Sequence, residues 1–390
     1  MMLELSAGEN PLPDFEEAFK VNKIDEFNYI GAHPLRLPVS AGRGVYGGHM
    51  IAQSLLVAIE STKNDQTGEY FIPDSYHSFF INAGNYRTPM EYKVNKLYDS
   101  DSIAKRYIEV VQRGKNRLTC LVTLRKAGTK TLHSNSNPLS KLDISVKPPT
   151  LRHKYPDPDK LYQVQHTDFV RNAFGPELLD YKLCPEENNI PASETWLTLF
   201  TGLKNIPEKG NNQYETITEE LPDAIGNLHT SEKKILKPKY SRSMKNPIYN
   251  YVGLADISDS AIITLMARVL HIPWTPSLER DQREYNAETD ATFVIRSTLN
   301  AAHIFHYNAM SLDHHIYFHN DDYVPTDGSK FDVCKDWLSL TYQLKRLSNN
   351  RLLMRGFVFN ENDKCIATII QEGLTIMFDS VGSTADKSRL

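Results

Sequence analysis

Cysteine is scarce in this chain. Only four occur in 390 residues, Cys120, Cys184, Cys334 and Cys365. Their spacing matches neither a C-x-x-C dithiol nor a zinc pattern, which excludes the familiar redox and zinc-module readings. Free thiols in a reduced compartment are the simplest expectation. Long apolar runs are missing too. No stretch approaches the ~20 residues that cross a bilayer as a helix, so no membrane span is expected. Charge of one sign does not dominate. The formal net charge is -4, which disfavours a nucleic-acid or anionic-membrane surface but leaves room for a local basic patch on a phosphorylated ligand. The first ten residues carry acids and no apolar core, so they do not read as a secretory leader. There is also no Gly-x-Ser-x-Gly elbow and no Ser, His and Asp order that reads as a serine-hydrolase triad.

What is present is apolar material in repeating form. Hydrophobic residues make up 40% of the chain, ample for a core, and the length suits two domains or one duplicated unit. Residues 47–60 read as a helix, with Met50, Ile51, Ser54, Leu55, Ala58 and Ile59 on one nearly apolar face. Residues 256–270 read as a second helix, capped by Ser258 or Asp259 and lined by Ile262, Ile263, Met266, Val269 and Leu270. Strand signals follow each: 76–81, 90–98, 103–112 and 117–125 after the first, then 292–296, 311–318, 338–347, 352–359 and 365–375 after the second. Arg106 to Lys115 aligns without a gap with Arg355 to Lys364, each a strand entering a tight Gly/Asn/Asp turn. Lys141 to Asp159 and Asn205 to Asn246 are polar and read as a linker and a surface insertion.

Two segments place polar groups in apolar, strand-like surroundings: Ser311 to His319, and Ile369 to Gly373 with Gln371. Buried polar groups need partners, and converging ones are candidates for chemistry. A hydroxyl and an amide suit the positioning of a water better than a covalent ester. Asp313, His314, His315 and His319 raise a metal reading, but on a strand His315 and His319 lie roughly 13 Å apart, from four rises of ~3.3 Å. No metal is expected. Asp313 and His314 are expected to hold sheet and site together by hydrogen bonds.

The motifs Gly47-Gly48-His49-Met-Ile-Ala-Gln53, His77-Ser-Phe-Phe, Ser311-Leu-Asp-His, Arg355-Gly-Phe and Gln371-Glu-Gly, in this order, resemble acyl-CoA thioesterase II, the double hot-dog thioesterases of bacteria and peroxisomes. The likeness spans roughly 25–128 and 246–376. It implies an α+β fold of two tandem hot-dogs, each a long helix wrapped by a curved antiparallel sheet, the two sheets joined edge to edge. The expected layout is an N-terminal hot-dog over 20–128 and a linker over 129–170. A C-terminal hot-dog follows over 171–380 with its insertion near 205–246, then a flexible tail over 381–390. The resemblance also implies hydrolysis of acyl-CoA without a cofactor, by a water held by an Asp, a Ser or Thr, and a Gln. Matched residue by residue, these fall on Asp256, Ser311 and Gln371. The family reads Ser-Asp where this match has Ala255-Asp256, and without the resemblance Asp256 reads as a plain helix cap.

Gly47 and Gly48, with His49, open the first helix, where unpaired N–H groups suit an oxyanion or a CoA phosphate, although close packing also wants glycine. Arg106 is a further candidate for CoA phosphate, against a structural role. Two other functions stand beside hydrolysis: a non-catalytic acyl-CoA-binding hot-dog, and a hot-dog enoyl-CoA hydratase. The hydratase signature, an Asp with His five residues on, is missing at both helix starts. The ending Ser388-Arg389-Leu390 is one conservative change from a peroxisomal address. The expected partners are therefore an acyl-CoA, a peroxisomal import receptor and, as in the family, further copies of the chain, and the expected location is the peroxisomal matrix.

Overall fold

The computed structural model describes residues 14–36, 44–127, 162–164, 178–183, 196–204, 214–222, 228–238, 243–259, 307–319 and 330–377. The first half opens with α1 (Phe15–Phe19), β1 (Val21–Lys23) and β2 (Asn28–Gly31), followed by the long α2 (Gly47–Glu60). Four strands follow: β3 (Phe71–Phe80), β4 (Glu91–Asp99), β5 (Ile103–Gln112) and β6 (Lys115–Lys126). Next come β7 (Tyr162–Val164), β8 (Leu178–Leu183), β9 (Trp196–Lys204), β10 (Tyr214–Pro222) and β11 (Leu228–Pro238). The second half has α3 (Ile248–Ser258), β12 (Tyr307–Ser311), β13 (Asp313–Phe318), β14 (Leu338–Ser348), β15 (Arg351–Phe359) and β16 (Cys365–Met377).

Fourteen strands form one sheet in the order β1-β2-β4-β5-β6-β3-β13-β16-β15-β14-β9-β8-β7, with β12 also paired to β16. The two halves meet at β3 and β13, antiparallel, with His77 opposite His315 and Phe79 opposite Asp313. This is the edge-to-edge junction expected of tandem hot-dogs. β10 and β11 form a separate hairpin within the segment read as a polar insertion.

The local reasons are legible. Burial alternates residue by residue along β5, as a pleated strand with one covered face requires. The β5–β6 turn places Arg113 and Gly114 at φ 53 and 69, the left-handed pair that tight hairpins need. In the equivalent β15–β16 turn Asp363 takes φ 60. α2 is buried from Gly48 to Ile59. Burial of a side chain such as Ile51, Leu55, Leu56 or Ile59 stabilises by roughly 1.5–3 kcal/mol. Its polar residues are satisfied inside: Gln53 donates to Phe19 O at 3.1 Å and accepts from the Tyr92 hydroxyl, and Ser54 pairs with Tyr76 at 2.8 Å.

The second helix differs from the sequence reading. α3 begins at Ile248, eight residues before the expected start, because Ile248, Tyr251, Val252, Leu254 and Ala255 supply a buried apolar face. Ser258 and Asp259, read as its opening cap, close it instead, with Asp259 as C-cap. The expected continuation to 270 and the strand at 292–296 lie outside the described residues. α2 and α3 pack on one another, and their side chains share one core with the inner face of the sheet.

Candidate active site

Three polar side chains meet at the end of α3. Gln371, on β16, donates from Nε2 to Asp259 Oδ1 at 2.9 Å and to Ser311 Oγ at 2.6 Å. Ser311, the last residue of β12, donates to Asp259 Oδ1 at 3.4 Å. Gln371 and Asp259 are buried, while Ser311 is half-buried and forms the side of the cluster nearest solvent. Two of the three residues named from sequence therefore converge, but on Asp259 rather than Asp256.

Asp256 lies one helical turn earlier and points elsewhere. It is fully buried at the α2–α3 contact, with Oδ1 3.8 Å from His49 Nε2. Both carboxylates sit on the buried side of α3, three residues apart, and only the C-cap position reaches the strands that carry Ser311 and Gln371. The sequence signal was present. The resemblance reads Ser-Asp at this place, and Ser258-Asp259 is that pair.

The sheet contributes a local irregularity. β12 and β13 both pair with β16, but Ser311 opposes Gly373 while His315 opposes Ile370. Four steps on one side span three on the other, so the strand bulges around Leu312. Regular alternation would put Ser311 and His314 on opposite faces. The bulge turns both inward, the re-aiming that bulges produce beside functional sites. It is tied down by Asp313, whose Oδ1 accepts from Glu372 N at 2.7 Å. Asp313 and His314 thus hold the sheet and site together, as expected from sequence.

The N-terminus of α2 closes the other side. The Gly48 N–H donates to the Asp259 carboxylate. A Cβ on Gly47 would stand 2.6 Å from Asp259 Oδ2, and one on Gly48 would stand 2.6 Å from Asp256 O and 2.4 Å from the Tyr46 ring. Both glycines are there for close approach between the two helices, and the positive end of α2 faces a protein carboxylate. An oxyanion or CoA phosphate is not what the Gly48 N–H meets. His49 is buried between the rings of Phe19 and Tyr46, with centroids at 5.3 and 5.1 Å, which does not fit a substrate contact. Arg106 is 3% exposed. Its guanidinium binds Asp99 at 2.6 Å, Ser61 at 2.9 Å and two backbone carbonyls. That is a structural role, tying β5 to the end of α2.

Burial sets the electrostatics. It pushes the Asp259 carboxyl up to about 7, against the opposing pull of the hydrogen bonds from Gln371, Ser311 and Gly48. It pushes His314 down to about 4, opposed by the bond to Gln371. At neutral pH Asp259 is poised between its two forms and His314 is uncharged. Cys120 is buried with its thiol pushed up to about 12, the wrong direction for a nucleophile. Among the described residues no group of three or more His, Cys, Asp or Glu is arranged to hold a metal.

Comparison with known proteins gives a consistent picture. Residues 236–375 match the family model for the acyl-CoA thioesterase C-terminal domain. The chain is 22% identical to peroxisomal acyl-coenzyme A thioester hydrolase 1 of Saccharomyces cerevisiae, over 95% of this chain and 97% of that protein. It is 26% identical to human acyl-coenzyme A thioesterase 8, over 34% of this chain and 43% of that protein. Among solved structures, acyl-CoA thioesterase II TesB2 of Mycobacterium marinum superposes with a TM-score of 0.55 at 17% identity, covering 93% of this chain and 98% of its own. A tesB protein of Mycobacterium avium subspecies paratuberculosis gives 0.54 at 14% identity, covering 92% and 96%. The chain is thus similar to acyl-CoA thioesterases along nearly its whole length and shares the double hot-dog fold of the thioesterase II structures.

Proposed function

We propose that this protein hydrolyses acyl-CoA thioesters to a free acid and CoA, using a water held by Asp259, Ser311 and Gln371. The observation that carries the reading is the hydrogen-bonded cluster of a carboxylate, a hydroxyl and an amide at the end of α3. A thioester carbonyl is already electrophilic, so the protein need only place a water and take its proton. Asp259 is the one member of the three that can accept that proton at neutral pH, and its value of about 7 suits a general base. Ser311 and Gln371 fix the direction of the water's lone pair, which replaces a random encounter by a placed attack. The water oxygen bonds to the acyl carbon, the C–S bond breaks, and the proton held by Asp259 passes to the departing thiolate.

Peroxisomal location is part of the proposal. It rests on the ending Ser388-Arg389-Leu390 and on the word peroxisomal in the name of the yeast relative. The test of the chemistry is incubation of the full chain with a long-chain acyl-CoA. Release of free thiol, lost in Asp259→Asn, is the expected result. A bound but uncleaved acyl-CoA would favour the non-catalytic reading, and hydration of an enoyl-CoA without thiol release would favour the hydratase.

A further inference from the structure

We propose that His314 is a positioning residue for this site: as the neutral tautomer with its proton on Nδ1, it donates to Gln371 Oε1 and so locks the Gln371 amide with its NH₂ toward Asp259 and Ser311. The inference rests on the hydrolytic reading above but concerns a residue that touches none of the reacting atoms.

The argument is a count of protons. Gln371 has one NH₂ and one carbonyl oxygen. Its Nε2 faces Asp259 Oδ1 at 2.9 Å and Ser311 Oγ at 2.6 Å. An ionised carboxylate only accepts, so the nitrogen must face it. Oε1 then faces His314 Nδ1 at 3.0 Å and must receive a proton from it. On the far side of the ring, His314 Nε2 is 2.8 Å from Ser258 Oγ, which also lies 2.7 Å from Ala255 O. A serine has one hydroxyl proton. If it went to Ala255 O alone, Nε2 would have to donate as well, and the ring would carry two protons. His314 has no exposed surface, and burial drives it away from the charged form. The consistent assignment is therefore Nδ1–H donating to Gln371, with the single Ser258 hydroxyl proton shared between His314 Nε2 and Ala255 O.

The lock has a purpose. An amide can turn end for end at little cost when its surroundings accept both orientations. Asp259 is near its titration point at neutral pH, and its protonated form could donate to a carbonyl oxygen. A flipped Gln371 would then present oxygen to Asp259 and Ser311, and no donor would remain to orient Ser311. A fixed N–H at His314 rejects that flip in both protonation states of Asp259. Ser258 and Asp259 are adjacent at the end of α3, so the helix end supplies both the site carboxylate and the hydroxyl that sets the tautomer.

The experiment uses the full chain. His314→Asn keeps an N–H where Nδ1 stands, because both nitrogens hang from Cγ. His314→Gln and His314→Leu do not. The expected result is kcat within a few-fold of the parent for His314→Asn, and a fall of about 10- to 10²-fold for the other two, the usual cost of a misplaced reacting group. KM should be unmoved in all three. In a Gln371→Ala background, His314→Leu should cost nothing further in kcat. The second readout needs no loss of activity. In chain labelled with ¹⁵N-histidine, the resonance lost in His314→Asn should show a protonated Nδ1 and a bare Nε2 at pH 7.

A proton on Nε2, or a doubly protonated ring at pH 7, would overturn the inference. So would equal losses in His314→Asn and His314→Gln, or additive losses with Gln371→Ala. Should Asp259→Asn and Gln371→Ala both remain fully active, the hydrolytic reading would fall, and the tautomer measured by NMR would still decide the hydrogen-bond direction.

Discussion

Asp259 should make activity and stability run in opposite directions with pH. Its carboxyl is raised from 3.8 to about 7 because it is buried. As a base it works only when deprotonated, so kcat/KM should fall about tenfold per pH unit below 7, leaving roughly one molecule in a hundred active at pH 5. Stability follows the other sense. The native state holds this proton more tightly than the unfolded chain does. The resulting stabilisation is fully present below about pH 4 and is lost as pH rises through about 7. A difference of about three pKa units corresponds to at most ~4 kcal/mol. Asp259→Asn removes the titration, though its amide must turn a donor toward either Gly48 N–H or Gln371, at a cost of ~1–3 kcal/mol. The absolute stability of the variant therefore mixes two effects, but its pH dependence does not. Relative to the parent, the variant should gain up to ~4 kcal/mol between pH 4 and pH 8, while turnover drops about 10²-fold or more. Urea unfolding across that range measures the first. Loss of thioester absorbance, which does not depend on thiol ionisation, measures the second. A flat kcat/KM from pH 5 to 8, or a break near pH 4, would refute the assignment of Asp259 as a buried base.

Asp256→Asn should lower kcat less than about tenfold, against about 10²-fold or more for Asp259→Asn. The reverse ranking in the same assay would return the base to Asp256. Gly47→Ala should displace the Asp259 carboxylate, since the new Cβ would stand 2.6 Å from Oδ2. A fall in kcat of about 10²-fold is expected, checked by turnover and by near-parental circular dichroism. Removing Ser388-Arg389-Leu390 should leave hydrolysis intact in vitro and move an N-terminal fluorescent fusion from peroxisomes to the cytosol. Unchanged location on imaging would mean another import route.

Much of the architecture is written locally in the chain. α2 is legible to the residue, because an apolar helical face needs no partner to be recognised. β5, β6, β14, β15 and β16 fall where alternation and turn residues put them, and the paired hairpins at Arg113-Gly114 and near Asp363 betray the duplication. Ser311 and Gln371 stand out as polar groups set among strand residues. The choice between Asp256 and Asp259 is of a different kind. Both lie on the buried side of one helix, and side-chain chemistry cannot separate two aspartates three residues apart. The docking of α3 on α2 decides it: two glycines let the helices approach, Asp256 is turned toward His49, and Asp259 is delivered to the strands. The fates of His49 and Arg106 were hidden for the same reason, since an exposed ligand-binding side chain and a buried structural one read alike in sequence. The bulge around Leu312 is likewise invisible before β16 is in place, because a register shift exists only between two strands. Local periodicity determined which segments became helices and strands, and only the packing of one half against the other decided which of their polar side chains came together.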